Sequence, residues 1–179
     1  MANSNIDKDE VYDWTNLDWK INQFAHWPEY IFRGQAQDNW LLESTLSRAL
    51  KKVKARNKKE LVSEHIKNFS LEIRGRRGQN PKTLTENELW ALGQHYGLFT
   101  PLLDWTESPW VALFFSLVNI EKSETGKRSI WALHKNDIPI INKSFKKKGD
   151  NFKNWALELV EPVIDDNSRL VNQRGYLLK

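Results

Sequence analysis

Arg33, His95, Asp104, Thr106 and Gln173 are the side chains whose types and settings are suited to chemistry. Arg33 sits in the run Tyr30-Ile31-Phe32-Arg33-Gly34-Gln35. A guanidinium within an apolar segment keeps its charge and needs a partner, and its planar fork suits a carboxylate or a phosphate. Gly34 beside it permits close approach of backbone. Two readings are open: a grip on a ligand, or an ion pair inside the fold with Asp104 as partner. The second polar group lies in the apolar stretch Gln94 to Trp110, where burying a His, Asp or Thr costs a few kcal/mol, roughly, unless each finds a partner. Asp104 and Thr106 are two apart on an extended segment and so share a face, with Trp105 on the other. The helix expected just after them offers free N–H groups to an anion. This pair reads equally as a ligand platform or as the caps of that helix. His95, near a helix end, can donate to a phosphate or a ribose hydroxyl. Asn172-Gln173-Arg174-Gly175 adds an amide, both donor and acceptor, beside a glycine.

These groups need elements to hold them. Asp13 or Thr15 can cap a helix to about His26, with Trp14, Leu17, Ile21, Phe24 and Ala25 on one face and Pro28 ending it. Tyr30 to Arg33 reads as a short strand bounded by Gly34. Leu41 to Leu46 leads into a basic linker at 51–59. From Lys59, the positions Leu61, Val62, Ile66, Phe69 and Ile73 fit about four helical turns closed by Gly75 and Gly78. Thr85-Glu-Asn-Glu is a capping box for a helix Glu86 to Tyr96, stopped by Gly97. Thr100 to Thr106 is expected to be extended because of Pro101. Thr106 or Ser108 can cap a helix with Pro109 in its first turn, and Trp110 to Val118, apolar nearly all round, is expected to be buried. Ser129 to His134, Ile138 to Ile141 and Ala156 to Val160 read as strands, and Tyr176 to Leu178 as extended.

Length and composition bound the answer. With 179 residues, 28% charged and 40% apolar, the chain fits one domain with a single sizeable core, and the mixture of helices and strands read above makes it α/β (α+β). Nine tryptophans are many; Trp14, Trp19, Trp90, Trp110 and Trp131 suit a core, whereas Trp40 and Trp105 invite another reason. The net charge of +4 gathers in clusters at Lys51, Lys52, Lys54, Arg56, Lys58 and Lys59, at Arg74, Arg76 and Arg77, and at Lys143, Lys146, Lys147 and Lys148. Such clusters either attract phosphates or form solvated faces. Absence of cysteine excludes disulfides, thiol nucleophiles and Cys-based zinc sites. His26, His65 and His134 lack metal-ligand spacing, so no metal is expected. No P-loop, Gly-x-Ser-x-Gly or Gly-x-Gly-x-x-Gly occurs. No apolar run reaches the roughly 18 residues of a membrane span, and the N-terminus lacks the apolar segment of a secretory signal. The expectation is a cytoplasmic protein without membrane attachment.

Three ordered blocks, Phe32-Arg33-Gly34, then Gln94-His95-Tyr96-Gly97-Leu98 through Thr100, Leu102-Leu103-Asp104-Trp105-Thr106 and Ser108-Pro109, then Asn172 to Gly175, resemble the FRG domain family. The likeness covers roughly residues 28–178, which implies an N-terminal helical lead-in at 1–27 and the FRG domain at 28–179, truncated or continued by a further C-terminal domain or partner. In the family pattern a proline stands at Phe99 and an arginine at Pro101; the second departure removes a cation. The block order is also distantly similar to ADP-ribosyltransferases of the Arg, Ser-Thr-Ser, Glu type. That resemblance implies an α/β (α+β) domain with a split antiparallel sheet flanked by helices, and NAD as substrate, with Arg33 and Gly34 at a phosphate or ribose and His95 and Tyr96 at the nicotinamide end. It implies catalytic roles for Thr106, Asp104 and Gln173, with Gln173 standing where a glutamate is usual. The family context implies a toxin or antiphage effector that modifies nucleic acid or protein. The alternative is a non-catalytic module that binds nucleic acid or protein.

Overall fold

The computed structural model describes residues 6–54, 57–79, 81–118, 123–147, 156–161 and 175–179. Helix α1 (Trp14–Ala25) is capped by Asp13, whose carboxylate accepts from Asn16 N. Strand β1 (Tyr30–Gln35) follows, then α2 (Thr45–Lys52), α3 (Lys58–Glu72), α4 (Glu86–His95), β2 (Leu103–Thr106), α5 (Pro109–Leu117), β3 (Ser129–His134), α6 (Ile138–Lys147), β4 (Leu159–Val160) and β5 (Gly175–Leu178). The described strands form one open antiparallel sheet in the order β3-β1-β2-β5-β4. This is an α+β fold. β1 pairs with β3 at six positions and β2 with β5 at four, but β1 and β2 share a single register pair, Phe32–Thr106. The sheet is therefore parted down its middle.

Alternation along the strands divides the core into two faces. Ile31, Trp105 and Leu178 pack with Ile138 of α6, and Trp131, Leu133 and Tyr176 flank them. On the other face Leu177 and Val160 meet Leu46 of α2, Trp90 and Ala91 of α4, and Leu102, with Val62 and Ile66 of α3 against them. Residues i and i+1 of a strand point to opposite sides, so Leu177 and Leu178 each serve one cluster. Helix α5 lies across β1 on the face of Phe32 and Gly34. A Cβ on Gly34 would stand 1.8 Å from the Ala112 carbonyl oxygen. Only glycine lets this helix sit so close to the strand.

Several elements depart from the sequence expectation. β1 runs through Gly34 to Gln35 rather than stopping at Arg33, because β3 pairs with it over its whole length. The segment before the basic linker is the helix α2, capped by Ser44, whose hydroxyl accepts from Ser47 N at 3.2 Å. Ile138 to Ile141 is not a strand. It opens α6, where Pro139 suits a first turn and Ile138 and Ile141, three apart, lie on the covered side while Ile140 stays exposed. In the Ala156–Val160 run the strand is confined to Leu159–Val160.

Trp14, Trp19 and Trp110 are 68%, 58% and 43% exposed and are not core. α1 turns Leu17, Ile21 and Phe24 toward the domain, which leaves its tryptophans outside. α5 likewise buries Ala112, Leu113 and Ser116 but exposes Trp110 and Phe114. Trp90 meets the expectation: it is buried, and its indole N–H donates to Glu86 Oε1 at 3.2 Å. Among the described residues no helix is long and apolar enough to cross a membrane.

Candidate functional site

The parting of β1 from β2 opens a cleft of about 890 Å³, closed at the back by α5 and flanked by α2 and α4. Arg33, Gly34, His95, Asp104 and Thr106 all line it. Directly paired residues point to the same face. The Phe32–Thr106 pair therefore puts Asp104 and Thr106 on the α5 face, while the Arg33–Trp131 pair puts Arg33 on the α6 face. This explains why Arg33 forms no ion pair with the Asp104 carboxylate, one of the two readings its sequence left open. It crosses the parting instead, and its Nη1 donates to the Asp104 backbone carbonyl at 2.7 Å. Arg33 Nε is buried and has no hydrogen-bond partner among the described residues. Burial pushes the guanidinium pKa below its ordinary value; Asp104 opposes this and Arg48 adds to it. The group stays charged all the same.

The Asp104 side chain is held by a relay that begins on another helix. Gln94 Nε2 donates to Asp104 Oδ1 at 2.6 Å, and the Thr100 hydroxyl donates to Gln94 Oε1. Thr100 N in turn donates to the Thr45 hydroxyl at 3.0 Å. Thr100 is fully buried, so this relay fixes the amide orientation of Gln94 from a rigid point. A carboxylate so held offers a fixed negative charge without losing its exposure to the cleft. Thr106 is buried, and its hydroxyl accepts from Ser108 N at 3.1 Å. That bond shapes the turn into α5, whose cap is Ser108 itself, accepting from Val111 N at 3.4 Å.

His95, at the end of α4, reaches the cleft rim. Tyr96, one residue on, does not. It is 70% exposed and lines a separate depression of about 480 Å³ with Phe69, Ile73, Leu92 and Arg76. Adjacent helical residues lie about 100° apart around the axis, which sends the two rings to different surfaces. Gln173, the remaining expected site residue, lies outside the described residues, as does Arg174. Gly34 lines the cleft, but the contact that demands a glycine there is with α5.

Two cleft residues have no role in the sequence reading. Gln94 was visible there as part of a polar block but without an assigned partner. Arg48 had no local signal, being one cation among several on an amphipathic segment. It reaches the cleft because Leu46 N donates to the Thr100 carbonyl at 3.1 Å, which pins the start of α2 beside Pro101. Trp40 forms part of the rim and is 47% exposed. Of the basic clusters, Lys51, Lys52, Lys54 and Lys143 are exposed; the side chains of Lys146, Lys147 and Lys148 lie outside the described residues.

A cluster of another kind occupies the opposite end of β2. Glu107 Oε1 accepts from Tyr176 Oη at 2.6 Å and from Lys135 Nζ at 3.1 Å, and the ammonium sits 4.6 Å over the tyrosine ring. Desolvation lowers the Lys135 pKa, but its bonds to Glu107 and Tyr176 outweigh this and raise it. The hydrogen bond to Glu107, then burial, raises that of Tyr176.

Among described residues no group of three or more His, Asp or Glu is placed to hold a metal ion. Compared with known families, residues 28–125 match the model of the FRG domain. No curated protein and no solved structure matches the chain. The matched span carries Arg33, Gly34, Gln94, His95, Asp104 and Thr106 and ends before Gln173.

Proposed function

The chain belongs to the FRG domain family, and from that premise we propose that its cleft binds NAD as an ADP-ribosyltransferase-like domain. The observation that carries the reading is Arg33: a charged fork at the sheet parting with a buried, unpartnered Nε, in a cleft of about 890 Å³. Sites for small molecules commonly enclose about 300–1,000 Å³ and combine apolar walls with a few convergent polar groups. Phe32, Trp105, Ala112 and Phe115 supply the walls here. Arg33 would hold a phosphate or a ribose hydroxyl, and His95 at the rim would contact the nicotinamide end. NAD, when bound, supplies a glycosidic bond to a good leaving group whose cleavage leaves positive charge on the ribose. Asp104, oriented by Gln94, puts a fixed negative charge in the same space, and preorganised charge of this kind is the largest catalytic contribution in many enzymes. Thr106 shapes the turn beneath it. Gln173 and Asp104 share the role of the usual glutamate in this reading.

The acceptor is nucleic acid or protein, and the family context favours a toxin or antiphage effector. The exposed Lys51, Lys52 and Lys54 and the solvent-facing Trp14 and Trp19 support a second reading, a non-catalytic module that binds nucleic acid or protein. Calorimetric titration with NAD separates the two. The transferase reading expects saturable one-site binding that Arg33→Ala removes. Absence of NAD binding together with nucleic-acid binding that weakens steeply with salt would establish the second.

A further inference from the structure

Arg48 is the second cation of the cleft, and its position bears on what the cleft takes. Its Nη1 donates to the Glu43 carbonyl at 2.8 Å, as Arg33 Nη1 does to the Asp104 carbonyl at 2.7 Å. A carbonyl orients a guanidinium but leaves its charge unbalanced. Of the carboxylates nearby, Glu43 pairs with Lys51 at 2.8 Å, while Asp104, whose Oδ1 accepts from Gln94, favours the charge on Arg33 without a salt bridge to it. Among the described residues neither arginine is in a salt bridge. They are also near enough for Arg48 to disfavour the charge on Arg33. Two like charges on separate frameworks, β1 and α2, line one cleft, and an anion between them would be attracted by both.

We propose that Arg33 and Arg48 form a two-armed clamp for a diphosphate group, with Arg48 as a binding residue for nucleotides that carry adjacent phosphates. The proposal rests on the nucleotide-binding reading of the cleft and narrows it to a ligand class. Two linked phosphates carry more charge and more oxygens than one, and they reach across to present them to both arms at once. The diphosphate of a dinucleotide or of a nucleoside diphosphate has this chemistry, and inorganic pyrophosphate isolates it. Trp40 on the rim offers a ring face to the base of such a nucleotide.

The test is calorimetric titration of the full chain, wild type, Arg48→Gln and Arg33→Gln, with inorganic phosphate, pyrophosphate, ADP and NAD. Lys67→Gln, an exposed α3 charge away from the cleft, controls for net charge, and circular dichroism reports folding. The clamp expects pyrophosphate and ADP to bind more tightly than phosphate. Each arginine variant should lose a factor on the order of ten to a hundred in affinity for both, the range of a charge-assisted hydrogen bond, with Lys67→Gln near wild type. Pyrophosphate binding that ignores Arg48, or falls equally in Lys67→Gln, overturns it, as does a wild type that binds no pyrophosphate. The two readings part on NAD. Arg48-dependent binding of pyrophosphate and ADP without NAD binding keeps the clamp and removes NAD; NAD binding indifferent to Arg48 keeps NAD and removes the clamp.

Discussion

The two ends of β2 carry polar clusters of opposite character. At the Glu107 end a carboxylate, an ammonium and a phenol satisfy one another, and the lysine also covers the tyrosine ring. At the Asp104 end two guanidiniums are held by backbone carbonyls, a buried Nε has no partner among the described residues, and a carboxylate accepts from an amide while facing the cleft. Both clusters join elements distant in sequence, but only the Glu107 cluster is partly buried throughout; at the other end Arg33 is partly buried while Asp104 and Arg48 are exposed. A closed network returns its interaction energy to the fold, whereas an open one keeps a desolvated donor such as Arg33 Nε for something else, at a cost to stability. The contrast separates the residues that build this domain from those that serve a ligand.

The largest expected effect tests the wall that holds the open cluster in place. Gly34→Ala would drive a Cβ into the Ala112 carbonyl and to 2.8 Å from Ser116 N, both backbone atoms of α5 that cannot move aside singly. A loss of about 3 kcal/mol or more follows from such overpacking, read as a collapse of the denaturation midpoint together with all ligand binding. A normal melt would mean that helix and strand are less tightly joined than the structure has them.

Arg33→Ala comes next. NAD affinity should fall on the order of a hundredfold while the melting temperature stays within a few degrees of wild type. If the melt collapses and binding does not fall separately, Arg33 belongs with the closed clusters and the comparison fails. Asp104→Asn keeps shape and still accepts from Gln94, so affinity should barely change. Nicotinamide release, followed as free base, should slow by a factor on the order of a hundred, as when a transition-state electrostatic partner is lost. Parallel losses of stability and affinity would return Asp104 to a structural role.

The smallest effect is expected at the closed end. Glu107→Gln should cost roughly 1–3 kcal/mol in a denaturant titration and leave NAD binding alone. Its pH dependence has a definite sign. Lys135 and Tyr176 both have folded pKa values above their ordinary ones, so each binds its proton more tightly when folded. The stability they contribute is fully present below the unfolded values and is lost as pH rises through the folded ones, above about pH 10. Glu107→Gln should flatten this alkaline loss. An unchanged alkaline limb would show that the network contributes nothing to the pH response.

Much of this was legible in the chain itself, and the reason lies in local physics. The capping box Thr85–Glu88, the Ser108-Pro109 helix start and the strand through Tyr30 to Arg33 depend on residues within one turn or one strand, and the structure contains all three. Arg33 and Asp104 stood out because charge in an apolar run demands a partner. The expected cores failed where burial depended on what packs outside an element: α1 and α5 have tryptophans and phenylalanines at helical spacing, yet Trp14, Trp19 and Phe114 all stay more than half exposed. Ile138 to Ile141 went to helix because the β-branched preference for strands is weaker than a proline-started turn set against Ile31 and Trp105.

The sequence by itself therefore determined most of the elements and the chemistry available to single side chains, which follow from neighbours a few positions away, and the family, which follows from motifs in a fixed order. Tertiary structure alone decided which charges meet. Arg33 reaches the Asp104 carbonyl rather than its carboxylate because the strands part after the Phe32–Thr106 pair, and Arg48 joins the cleft because Thr100 anchors a helix 55 residues away through Thr45. Neither the register of a parted sheet nor a hydrogen bond between distant loops leaves a periodic mark in the chain. Both arise from closing many contacts at once.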